Sequence, residues 1–143
     1  MPPLARYWPA VFSENVEVVQ RLLSAFNRGD FGALNELDPR AELQDEPRMP
    51  GAGWNRGYAG AVDWAMKLRQ SFGRLTFAID QPTEAGESVV TRWRAEGEGK
   101  RSGAKVEMGG YCVFTLRRGK VFRVEFFDNR QRAVEAALAK PVT

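Results

Sequence analysis

The segment Tyr111–Asp128, YCVFTLRRGKVFRVEFFD, constrains the fold more than any other part of the chain. It reads as two strands that turn back at Arg118-Gly119 and lead into a helix start at Asp128. In the second strand Phe122, Val124 and Phe126 share one face, and Val121, Arg123, Glu125 and Phe127 share the other, since successive strand side chains point to opposite sides. Large apolar groups on both faces demand cover on both. The expectation is a sheet packed on the chain's own helices on one side and on a second subunit on the other. A homodimer through Phe122, Val124 and Phe126, with Tyr111 and Val113 nearby, follows from that reading.

Composition narrows the chemistry. A chain of 143 residues, 43% hydrophobic and 27% charged, is expected to form one domain with a real core. There is no histidine, which removes His-based triads, His metal sites and imidazole acid–base catalysis. The single Cys112 removes an internal disulfide and a cysteine-rich metal site; it is expected to be a small buried residue in a reducing, cytoplasmic setting. Neither a metal nor a cofactor is expected. The net charge of +3 is spread over interleaved acids and bases. Arg92, Arg94, Lys100, Arg101 and Lys105 form a local basic patch that reads as a solvated strand face, so no nucleic-acid partner is expected. No apolar run is long enough for a membrane span. Residues 1–12 read as an N-terminal arm carrying Tyr7, Trp8 and Phe12, ahead of a single domain over 13–140.

Along that domain, Ser13–Arg28 is an amphipathic helix with Val16, Val19, Leu22, Leu23 and Phe26 as its stripe, capped by Ser13 and ended by Gly29. Asp30 caps a short helix over Phe31–Leu37. Ala41–Glu46 is a short strand stopped by Pro47, and Arg48–Gly57 is a loop. Tyr58–Phe72 is a helix with Val62, Ala65, Met66 and Leu68 inward. Four strands follow near Leu75–Asp80, Ser88–Glu96, Ala104–Leu116 and Lys120–Phe127. Asp128 opens a last helix to Ala139, with Gln131 completing a capping box. Leading helices and a following antiparallel run give an α+β fold in which helices cover one face of a curved sheet and enclose a pocket.

The stretches ENVEVVQRLLSAFNRGDFGALNEL, a strand ending in DEP, WNRGYAG and VFTLRRGKVFRVEFFD resemble the NTF2-like superfamily over residues 14–139. Within it they are similar to the SnoaL-like group of polyketide cyclases, ketosteroid isomerases and limonene-type epoxide hydrolases. The resemblance implies an NTF2-like cone. It places Asp45-Glu46-Pro47 where ketosteroid isomerases carry their general-base aspartate. It also places Leu22 and Cys112 where those enzymes carry their oxyanion-hole tyrosine and aspartic acid, so classical steroid isomerisation is not expected. Against the epoxide hydrolases, Trp93 and Ala95 fall at the arginine and first aspartate of the relay. Glu125 falls at the second aspartate, Asp45 at the asparagine and Leu43 at the tyrosine. Arg94 and Glu96 repeat the arginine-x-acid spacing one residue later, on the opposite strand face. SnoaL-like cyclases imply an inward acid in an aromatic-lined pocket, for which Glu125 is the candidate.

Asp45 and Glu125 are thus the expected catalytic carboxylates. If both face one cavity, desolvation and mutual repulsion make one of them usable as a base near neutral pH. The competing reading pairs Glu125 with Arg123 and has Asp45 cap the Met49–Gly53 loop. Leu43, Trp54, Tyr58, Trp93, Met108, Cys112 and Phe127 are the expected ligand-binding wall, with Gly109-Gly110 leaving a bulge or room for a ligand. The leading function is cofactor-free proton transfer on a hydrophobic, oxygenated small molecule by an isomerase, cyclase or dehydratase. The alternatives are a non-catalytic binding or dimerisation module, and an epoxide hydrolase with an altered relay.

Overall fold

A computed structural model describes residues 14–30, 35–49 and 51–139. The arm, the Ser13 cap and most of the short helix expected at 31–37 lie outside them; Leu37 itself opens a strand. The chain runs α1 (Glu14–Arg28), β1 (Leu37–Gln44), β2 (Trp54–Arg56), α2 (Gly57–Ser71), β3 (Phe72–Ala85), β4 (Ser88–Gly99), β5 (Lys105–Arg117), β6 (Lys120–Phe127) and α3 (Arg130–Ala139).

Helix α1 forms where its stripe predicts and buries Val16, Val19 and Phe26. Gly29, at φ 73°, ends it. The N–H of Gly29 bonds the Phe26 carbonyl at 2.9 Å and that of Asp30 bonds Ala25 at 3.0 Å. This paired closure satisfies orphan carbonyls through a left-handed residue that glycine adopts without steric cost.

The six strands form one sheet in the order β2-β1-β6-β5-β4-β3. It is mixed rather than antiparallel throughout, because β6 returns alongside β1 in the same direction, pairing Leu43 with Val124. The expected 48–57 loop ends in a strand: β2 pairs with β1 at Leu43–Asn55. The β5–β6 hairpin turns at Arg118-Gly119, both at positive φ, the geometry that suits the right-handed twist of a two-residue turn.

The phase of β6 is a correction. Thr115 pairs with Arg123 but Leu116 pairs with Val121, so Phe122 is an extra, bulged residue. Beyond it the alternation reverses. Val124 and Phe126 join Val121 on the face covered by α1 and α2, while Arg123, Glu125 and Phe127 turn to the other face. Val124 and Phe126 therefore belong to the interior and cannot form the expected dimer face. Phe122 lies under the Arg117 guanidinium, 3.6 Å from carbon to ring centroid.

The second sheet face is partly covered from within the chain. Ala133 and Ala137 of α3 pack on Val90, Val113 and Ala85, with Tyr111 and Phe127 alongside. Asn129, not Asp128, caps α3: its side-chain oxygen accepts from the Arg132 N–H at 2.9 Å. Gln131 bonds Glu135 instead of closing a capping box. In α2, Ala61 and Ala65 are buried, but Met66, expected inward, is exposed. No helix among the described residues is long and apolar enough to cross a membrane.

Candidate functional site

The face enclosed by α1 and α2 holds two chambers. The inner, of about 90 Å³, lies among Leu22, Leu23, Leu43, Cys112, Phe114 and Val124, and its wall is almost wholly apolar. The outer, of about 360 Å³, opens between α2 and the sheet past Asp45, Lys67, Ala95 and Met108. Trp64, Phe77, Trp93 and Phe126 line both. Their rings stand in a row: Trp64 to Phe77 is 6.1 Å, Phe77 to Trp93 6.0 Å and Trp93 to Phe126 5.4 Å between centroids. Such tilted and offset contacts are favourable beyond burial alone. The four rings form a waist between an apolar inner space and a partly polar outer one.

Asp45 sits on the wall of the outer chamber, where β1 ends. Its carboxylate accepts from the Gly53 N–H at 3.0 Å and from Asn55 Nδ2 at 2.9 Å, and Lys67 Nζ stands 3.6 Å from its Oδ2. Lys67 also donates to Asn55 Oδ1 at 3.0 Å. Asn55 is buried, and its Nδ2 reaches the Leu43 carbonyl as well. β2 holds Asn55 opposite Leu43, and α2 brings Lys67 down from above, so three elements converge on one carboxylate. A carboxylate offers about four lone-pair positions. Two accept hydrogen bonds, with Lys67 close by as an ion-pair partner, which leaves acceptor capacity for a ligand. The next residue, Glu46, is held by Arg48, whose Nε is 2.6 Å from it and whose Nη2 reaches the Gly109 carbonyl.

The expected site residues divide. Asp45, Leu43, Trp93, Met108 and Cys112 do face the chambers. Glu125 and Phe127 do not, because of the bulge at Phe122: Phe127 packs with α3, and Glu125 stands opposite Val113 with Arg123 Nε at 3.4 Å. The expectation that Glu125 faces the cavity beside Asp45 is thereby corrected. Trp54 lies on the outer face against the Arg123 guanidinium at 4.5 Å, and the Tyr58 hydroxyl donates to the Leu37 carbonyl at 3.4 Å; neither borders a chamber. Arg94 and Glu96 are exposed on the face opposite to Trp93 and Ala95. Sequence reasoning missed Asn55 and Lys67, and the rings Trp64, Phe77 and Phe126. The one signal for Lys67 is its spacing of three from Trp64 on the same helix.

Cys112 is fully enclosed. Burial first, and the negative charge of Glu125 second, push its thiol well above the usual range, so it stays protonated and unreactive. Among the described residues no three Asp, Glu or Cys side chains converge as a metal cage.

The SnoaL-like domain matches residues 19–124 of the chain. No curated protein sequence matches it. Among solved structures, TerC co-crystallised with polyporic acid is 21% identical at a TM-score of 0.71, covering 90% of this chain and 100% of that one. An NTF2-like protein of unknown function from Burkholderia pseudomallei K96243 is 18% identical at the same coverages and a TM-score of 0.71. A protein described as a SnoaL-like polyketide cyclase, from Jannaschia sp. CCS1, is 24% identical at a TM-score of 0.67, covering 90% of this chain and 94% of that one. At these identities the likeness is one of fold, and it agrees with the α+β cone.

Proposed function

The chain belongs to the SnoaL-like domain family, and from that premise we propose that it is a cofactor-free enzyme moving a proton on a hydrophobic, oxygenated small molecule, with Asp45 as base. The observation that carries this is the placement of one carboxylate, braced by Gly53, Asn55 and Lys67, on the wall of a chamber that continues into an apolar one. Apolar rings of a ligand fit the inner space, and its polar end fits the outer. In the reaction, Asp45 takes a proton from a carbon beside a carbonyl. The electron pair of the broken C–H bond moves onto the carbonyl oxygen as an enolate, and the proton returns to the same or a neighbouring carbon. The Lys67 ammonium keeps the carboxylate in place and offsets the added negative charge. That a protein of this fold has been crystallised with polyporic acid supports a small organic ligand.

The test does not need the physiological substrate. The C1 protons of 2-tetralone are acidified by both ring and carbonyl, and their exchange in D2O is read by NMR. Wild-type protein is expected to accelerate that exchange. Asp45→Asn keeps the shape and removes the base, so the acceleration falls by about two to four orders of magnitude. An acceleration retained in Asp45→Asn rules out Asp45 as the base. The second reading, a binding module without catalysis, is favoured by the engagement of Asp45 with the loop at Gly53. It predicts binding of 2-tetralone with no acceleration.

A further inference from the structure

The interior contains a donor that the fold leaves without an acceptor. Trp93 is 5% exposed, and its Nε1 has no hydrogen-bond partner among the described residues. A buried indole N–H ordinarily finds an acceptor, because leaving it unpaired forfeits its hydration. Its position in the fold is specific. On β4, Ala95, two residues on from Trp93, borders only the outer chamber. On β5, Gly110 stands opposite Trp93, between Met108 of the outer chamber and Cys112 of the inner one. The indole that carries the N–H therefore sits at the waist. Gly110 lies close beside it: a Cβ there would meet the Phe127 carbonyl oxygen at 3.0 Å and Nε1 at 3.3 Å. A side chain at 110 would crowd the donor and the Phe127 carbonyl, and glycine, which weakens a strand interior, avoids that.

We propose that the Trp93 indole N–H is the hydrogen-bond donor for an acceptor oxygen, a ketone, quinone or enolate, on a ligand that spans the two chambers. The ligand class then has a stated pattern: an apolar ring in the inner chamber, an unprotonated oxygen at its junction with the outer part, and the reacting carbon on the Asp45 side. This rests on the cavity reading above and adds to it a group that holds the carbonyl and favours negative charge on its oxygen, where Lys67 is committed to Asp45 and Asn55. Nothing charged is needed at the waist. A neutral donor in an apolar surround strengthens as the oxygen gains charge, which is the differential binding that catalysis requires.

The experiment compares 2-tetralone with tetralin, which has the same rings and no oxygen, by calorimetric titration of wild-type protein and Trp93→Phe. The phenylalanine keeps a ring at the waist and deletes the donor. The variant is expected to bind 2-tetralone about tenfold more weakly while its affinity for tetralin stays within about twofold. In wild-type protein, one of the four tryptophan indole N–H proton resonances should move downfield with 2-tetralone and not with tetralin; this second readout stands alone if the variant does not fold. Equal loss for both probes, or no indole shift, overturns the donor role while leaving the cavity reading intact. Failure of wild-type protein to bind either probe overturns both.

Discussion

The two faces of the sheet treat polar groups in opposite ways. On the outer face, at the β2-β1-β6 end, Arg56, Glu42, Arg123 and Glu125 form a continuous line of ion pairs with contacts of 2.8, 3.3 and 3.4 Å, and Trp54 stacks on Arg123. Charge there is met by ion pairs, although the contact between Arg123 Nε and Glu125 Oε1 is an ion pair and not a hydrogen bond. On the inner face Trp93 Nε1 and Thr91 Oγ1 are buried with no partner among the described residues. The inner-face groups are neutral, and Trp93 borders both chambers, where a ligand could meet its donor. A carboxylate amid apolar neighbours is not by that fact a catalyst: Glu125 faces away from the chambers, and Asp45 stands on the wall of the outer one.

Val124→Arg should have the strongest consequence for the inner face. If Val124 lines the inner chamber, the guanidinium is forced into an apolar wall without a partner, at a cost of about 3–5 kcal/mol, and thermal unfolding shows a collapse of stability. A stable, merely dissociated protein would return Val124 to the outside. Next is Phe77→Ala. It removes the middle ring of the waist, costs about 3 kcal/mol through the space left behind, and should let bulkier ring ketones bind as the two chambers merge. Glu125→Gln should cost about 1 kcal/mol through the weakened pairing with Arg123 and leave 2-tetralone exchange unchanged.

The smallest effect sharpens the same contrast on the exposed outer face. Asp80 takes two bonds from Arg92, one of them 2.8 Å, and this pairing holds its carboxyl below the usual range. With the folded value below the unfolded one, the pair stabilises the fold above the ordinary aspartate pKa of about 3.9 and loses that contribution as pH falls through the lower folded value. Asp80→Asn should therefore lower Tm slightly at pH 7, and the difference from wild type should vanish under strong acid.

Much of the fold was legible because its signals are local. The α1 stripe and Gly29 mark a helix and its end, and Gly119 marks a turn in which Arg118 too takes a positive φ. The DEP strand end led to Asp45, and the alternation through Cys112 led to its inward position. What failed was non-local. Whether β6 pairs parallel with β1 depends on where a distant strand lies, and no residue of β6 states it. One bulged residue, Phe122, reverses every later side chain, and nothing in VFRVEFF distinguishes Phe122 as the extra residue. Glu125 was misplaced for that reason alone. Asn55 and Lys67 escaped because a three-residue strand carries no periodicity, and because lysine on a helix ordinarily means solvent.

On this reading, ligands enter the inner face and cross the waist at Trp93. The most direct measurement is an anomalous difference map from crystals soaked with 6-bromo-2-tetralone. The account predicts bromine in the inner chamber near Cys112 and Phe114, with the carbonyl toward Trp93. Bromine on the outer face beside Trp54 and Arg123, or no bound bromine at all, would contradict it.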